Sequence, residues 1–211
     1  MEGIYLIFVA VLFLLAFSDL MVGVANDAVN FLNSAVGAKA ASFKTVLIVA
    51  SVGVLVGATF SSGLMEIARK GLFFPGQFSF NEVIIIFLAV MITDVILLDM
   101  FNTFGLPTST TVSIVFELLG ASVAIAVIKI TGSEQTMQDI GQYINSAKAL
   151  AIITGILVSV AIAFSVGALV QYITRVLFTF NLRFNLKYFG ALWGGMAITG
   201  ITYFMLIKGA K

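Results

Sequence analysis

The sequence predicts an all-α, polytopic integral membrane protein of about six membrane segments, some of them broken or re-entrant. Three observations carry that expectation. Of 211 residues, 61% are apolar and only 10% are charged, against roughly half and a quarter in soluble globular domains. Apolar windows close to the roughly 20 residues that a helix needs to cross the hydrocarbon core recur along the chain. Between them lie short stretches rich in Gly, Pro, Asn, Asp, Lys and Arg, the composition of turns.

The windows fall in order at about 4–25, 45–65, 83–101, 108–130, 149–174 and 188–207. The first contains the run Ile4 to Phe17, which has no basic flank before it and no small-residue cleavage site after it. It therefore reads as a retained span rather than a signal peptide, with the inner or plasma membrane as destination. Arg69-Lys70-Gly71 and Phe74-Pro75-Gly76 follow the second window, a polar stretch at 132–146 follows the fourth, and Asn181 to Asn185 follows the fifth. The whole chain, 1–211, is expected to be a single transmembrane domain with 132–146 as its soluble loop. From an outside N-terminus, five basic residues (Lys39, Lys44, Arg175, Arg183, Lys187) face the cytoplasm and six (Arg69, Lys70, Lys129, Lys148, Lys208, Lys211) face out. The positive-inside rule therefore leaves the orientation open.

The composition also excludes chemistry. Eleven basic residues against ten acidic ones provide no basic surface for nucleic acid. Cysteine and histidine are both absent, which removes disulfides, thiolate catalysis, the commonest metal ligands and the usual neutral-pH proton shuttle. No cofactor and no structural metal are expected. With no nucleophile–base pair in view, an enzyme is the least favoured class.

Two polar clusters interrupt the apolar pattern. Segment one runs through Asp19 into Asn26-Asp27-Ala28-Val29-Asn30, and segment four is preceded by Asn102 and opens with Gly105-Leu106-Pro107-Thr108-Ser109-Thr110-Thr111. Such clusters predict helix breaks lining a cavity, because non-helical backbone survives in a membrane only where protein or water satisfies it. On a helix, three- and four-residue spacings bring Asn26, Asp27 and Asn30 to one face. Their oxygens suit a hard cation such as sodium, or a proton on Asp27, and as helix caps they would serve structure alone. A proline at the first helical position followed by four hydroxyls predicts a helix N-terminus whose free N–H groups and dipole attract an anion. The hydroxyls could instead bond back to the helix. Asp94, Asp99, Asn102 and Glu117 are further intramembrane polar groups, each a second ion ligand or an interhelical hydrogen-bond partner. Glu66 next to Arg69 and Lys70 reads as an interfacial ion pair.

Ala25-Asn26-Asp27 with Asn30, then Ser34-Ala35-Val36-Gly37, then Arg69-Lys70-Gly71, then Gly-Leu-Pro-Thr-Ser-Thr-Thr at 105–111 occur in the order and spacing of a known family. The chain resembles the Pit inorganic phosphate transporters, whose signature is GANDxxN and whose second motif is Leu-Pro followed by hydroxyl residues. The resemblance implies secondary active transport of phosphate in symport with sodium or protons. It implies that Thr108, Ser109, Thr110 and Thr111 contact the anion while Asn26, Asp27 and Asn30 organise the coupling ion. It also implies two inverted repeats, each supplying one motif pair. This chain departs in carrying Val24 at the family glycine, with Gly23 one place earlier, and Val112 where many members have histidine. It contains the Asn-Asp motif once, so it corresponds to one half, completed by a second transporter half or by a homodimer. Sulfate or another tetrahedral oxyanion is the alternative substrate, and a non-transporting membrane scaffold the alternative class.

Overall fold

The computed structural model describes residues 2–60, 71–133, 136–204 and 207. Glu66, Arg69, Lys70, Lys208 and Lys211 lie outside the described residues. Contacts divide the chain into two compact units, Met1–Ala58 with Met65–Ala149, and Thr59–Leu64 with Leu150–Lys211.

The first unit is built on α1 (Glu2–Gly37), α2 (Phe43–Phe60), α3 (Phe80–Phe104) and α4 (Thr110–Thr131). The break expected within the first segment is absent, because α1 is one helix of 36 residues. It contains no proline, and the amide of Asn26 and the carboxyl of Asp27 take partners on other elements and so do not compete with its backbone ladder. Lys39 in the left-handed region (φ 50°) ends the turn after α1. Ser42 restarts the chain, its Oγ accepting from the Thr45 N–H at 3.2 Å. Ser79 and Glu82 form a reciprocal capping box at the start of α3. At its end Gly105 (φ 66°) closes the helix, with the Leu106 N–H donating to the Phe101 carbonyl and the Gly105 N–H to that of Asn102.

Helices α1, α3 and α4 are the packed core of this unit. Tyr5 meets Phe80 ring to ring at 5.6 Å, and twenty-one residues along α1 Asn26 meets Asn102, so α1 and α3 run parallel. Helix α4 returns antiparallel: the Lys129 ammonium pairs with Glu82 at 2.9 Å near the start of α3, and Thr110 lies near the far end of the bundle beside Asp27. A methyl added at Gly23 would stand 3.7 Å from Leu98 and 3.8 Å from Thr110, so at this position α1 faces both α3 and α4.

The stretch at 132–146, expected as a soluble loop, is locally ordered in its described part. A 3-10 turn at Met137–Gln142 leads to buried Tyr143 and Ile144, and Ile144 bridges Phe73. Lys129 donates to the Gln77 carbonyl at 2.8 Å and lies under 6 Å from the Phe78 and Tyr143 rings.

The second unit consists of most of α5 (Ser146–Thr179), α6 (Leu182–Asn185), a π-helical turn at Leu186–Gly190 and α7 (Ala191–Phe204). Asn181 (φ 53°) makes the reversal after α5, and the Asn185 amide donates back to the Leu177 and Phe180 carbonyls. Phe178 stacks edge-on against Trp193.

All six apolar windows lie largely on helices, but only four described helices are long and apolar enough to cross a membrane: those starting at Ile4, Phe80, Thr110 and Ser146. Helix α2 is a shorter apolar helix, and α7 has 14 residues. Large apolar side chains remain uncovered, Phe13 and Phe164 at 78% and 79% exposure. Apolar faces of this extent are tolerated against lipid or other protein, and not against water.

Candidate functional site

The two polar clusters meet at one end of the α1–α3–α4 bundle. Asn26 is 3% exposed, and both ends of its amide are used. Its Nδ2 donates to Asn102 Oδ1 at 2.8 Å, while its Oδ1 accepts from the Thr108 backbone N–H at 3.1 Å. Asn102 in turn donates to the Val22 carbonyl at 3.1 Å. One residue on, Asp27 Oδ2 accepts from the Thr110 hydroxyl at 3.3 Å. The result is a hydrogen-bonded knot that ties α1 to the non-helical segment joining α3 and α4.

The start of α4 differs from the expectation. Pro107 was expected at the first helical position, yet the cap is Ser109, whose Oγ accepts from the Val112 N–H. Thr108, the residue before that cap, gives its N–H to Asn26 at 3.1 Å. Thr110 and Thr111 then form the first helical turn, whose leading amides have no intrahelical acceptor and sit at the positive end of the dipole.

Not every expected residue joins this knot. Asn30 is exposed one turn beyond Asn26, and Ser109 and Thr111 are also exposed. Asp99 faces outward on α3 although it is only three residues from Asn102. A small cavity of about 70 Å³ lies against Asn26, Asn102, Gly105 and Pro107, room for water-sized occupants. A wider groove of about 710 Å³ runs between α1 and α2, with Asp27 on a wall otherwise formed mainly by residues such as Phe31, Leu32, Leu47 and Val54.

Two turns away, Asp94 and Glu117 come together in a second polar layer with Asp19, which the sequence marks only as the start of the first polar cluster. The signal that could have found Asp19 is its spacing. It precedes Asn26 by seven residues, Asp94 precedes Asn102 by eight, and Glu117 follows Thr110 by seven, so all three stand two helical turns from the knot. Among the described residues no group of three or more acidic side chains has the geometry of a metal site.

Comparison with known proteins adds a family. A family model described as the phosphate transporter family matches residues 23–209. A Thermococcus kodakarensis protein provisionally named a phosphate permease is 36% identical over 104 residues, covering 48% of this chain and 26% of that protein. A Pyrococcus abyssi protein of the same provisional name is 35% identical over 108 residues, covering 50% and 27%. The matched stretch thus spans about a quarter of the length of these curated relatives. No solved structure matches.

Proposed function

The chain belongs to the phosphate transporter family and is an integral membrane protein, and on that premise we propose that it supplies one half of a secondary active transporter of inorganic phosphate. The observation that carries this reading is the knot: Asn26 of the first motif accepts from the Thr108 N–H of the second, directly before the Ser109 cap of α4. In the proposed site the phosphate oxygens take the leading amides of α4 and the hydroxyls of Thr108, Ser109, Thr110 and Thr111. Asp27, bonded to Thr110, lies close to that anion. With Asn26 and Asn30 it organises a sodium ion or proton, whose charge offsets the repulsion between carboxylate and phosphate. Asp94, Asn102 and Glu117 support these groups from α3 and α4. Transport is symport, and a second half in inverted orientation, or a second copy of the chain, completes the pathway by alternating access.

Labelled phosphate uptake into proteoliposomes tests this, with the chain alone and joined to a second half. Uptake is expected under a sodium or proton gradient and is expected to fall in Asp27→Asn and Ser109→Ala. Sulfate uptake without phosphate uptake moves the substrate assignment. Passage of neither anion by the completed protein sinks the transport reading and leaves the scaffold. The mass of the native protein in membranes separates a longer polypeptide from a dimer of this chain.

A further inference from the structure

The second polar layer has a composition that constrains what it holds. Asp19, Asp94 and Glu117 come from three different helices of the first unit, and Asp94 stands within hydrogen-bond reach of both others. Asp94 is 1% exposed. Glu117 uses Oε1 to accept from the Ser113 hydroxyl at 2.7 Å. That leaves Asp19 Oδ1, Asp94 Oδ1 and Glu117 Oε2 buried without any donor. None of these three helices brings a cation to them: α1 and α3 contain no lysine or arginine, and the lysine of α4, Lys129, lies twelve residues along at the opposite end and is bound to Glu82. Two carboxyl oxygens at hydrogen-bond separation without a proton between them repel each other, and three ionised groups in an apolar bundle without countercharge are costlier still.

We propose that Asp19, Asp94 and Glu117 form a proton site, holding one proton in each of the two contacts that Asp94 makes, distinct from the Asn26–Asp27–Thr110 knot two turns away. The protons supply the donors that the orphaned oxygens lack, and they reduce the charge of the cluster. Three acidic side chains on three helices thereby become a set of bonds that joins α1, α3 and α4. The inference does not depend on which anion the chain carries.

Infrared spectroscopy of the full chain in lipid bilayers at neutral pH tests it. The carbonyl stretch of a protonated carboxyl group is expected in the wild type, in sodium and in choline buffer alike. Asp94→Asn and Glu117→Gln, which keep the shape and provide an amide donor, are each expected to remove part of that band. Asp139→Asn, outside the spanning helices, is expected to leave it intact. A wild-type spectrum without the band overturns the proposal and needs no variant that could misfold. So does a band that is unchanged in both triad variants. A band present in choline and missing in sodium assigns the site to a metal cation and also overturns it.

Discussion

Replacing Asn26 with alanine probes the joint between the two motifs. The substitution removes two hydrogen bonds, to Asn102 Oδ1 at 2.8 Å and from the Thr108 N–H at 3.1 Å, at a position 3% exposed. Each partner left without its bond in a buried setting costs about 1–3 kcal/mol. Thr108 and Asn102 are themselves only half-buried, so the lower part of that range applies. Alanine returns a few tenths of a kcal/mol through helix propensity, up to about 0.7. The net expectation is a loss of about 2 kcal/mol, read from unfolding by denaturing detergent in mixed micelles. Pairing the change with Asn102→Ala should give a coupling of about 1 kcal/mol, because the two amides bond each other. A loss under about 0.5 kcal/mol, the range of ordinary surface substitutions, together with strict additivity, would falsify the claim that this knot holds α1 to the α3–α4 connection.

Other expectations follow from single features. Gly105→Ala places a side chain at φ 66° with no neighbour within 4 Å; the loss is purely conformational, about 1 kcal/mol, and shows as a lowered melting temperature. Thr110→Val should lower both thermal stability and phosphate uptake, since its hydroxyl also bonds Asp27, whereas Thr111→Val, exposed, should lower uptake alone; equal effects on stability contradict that split. Lys129→Met removes an ion pair that is about a third exposed together with two ring contacts, for a loss of about 1 kcal/mol. Gly23→Ala should be nearly neutral and Gly23→Leu clearly destabilising in the same unfolding assay, because ordinary contact with Leu98 and Thr110 begins at the first carbon.

Membrane residence and helix positions were legible because burial in lipid demands long apolar runs, and each window lies largely on a helix. Four described helices are long and apolar enough to cross a membrane, and the windows of α2 and α7 run on into residues outside the described ones. Asn26, Asp27, Asn102, Thr108 and Thr110 stood out as polar groups in apolar surroundings, and they do meet. What the pattern could not say is where their bonds go. A dense polar cluster reads as a broken helix when its partners are unknown, yet α1 continues through Asn26, whose partners lie on α3 and on the segment leading into α4. The same ignorance placed Pro107 at the first turn of α4, whereas the chain stays non-helical through Thr108, whose N–H goes to a residue eighty-two positions away. Asp19 is legible as the start of the first polar cluster but belongs to no motif; its meaning lies in a register shared by three helices.

The antiparallel α3–α4 pair also sets a scale of depth. Lys129 and Glu82, with the aromatic cap around them, suit a membrane surface. Measured along α4 from that end, Glu117 lies about 18 Å in and Thr110 about 28 Å in, at a rise of 1.5 Å per residue. With that end placed at one surface of a hydrocarbon layer about 30 Å thick, the knot would approach the far edge and the three carboxyl groups would lie about a third of the way back from it. A charge passing between the two layers travels through about a third of the transmembrane voltage, worth about 0.8 kcal/mol per 100 mV. Any ion that uses both layers is thereby sensitive to the electrical state of the cell, and its occupancy of the deeper one follows the membrane potential.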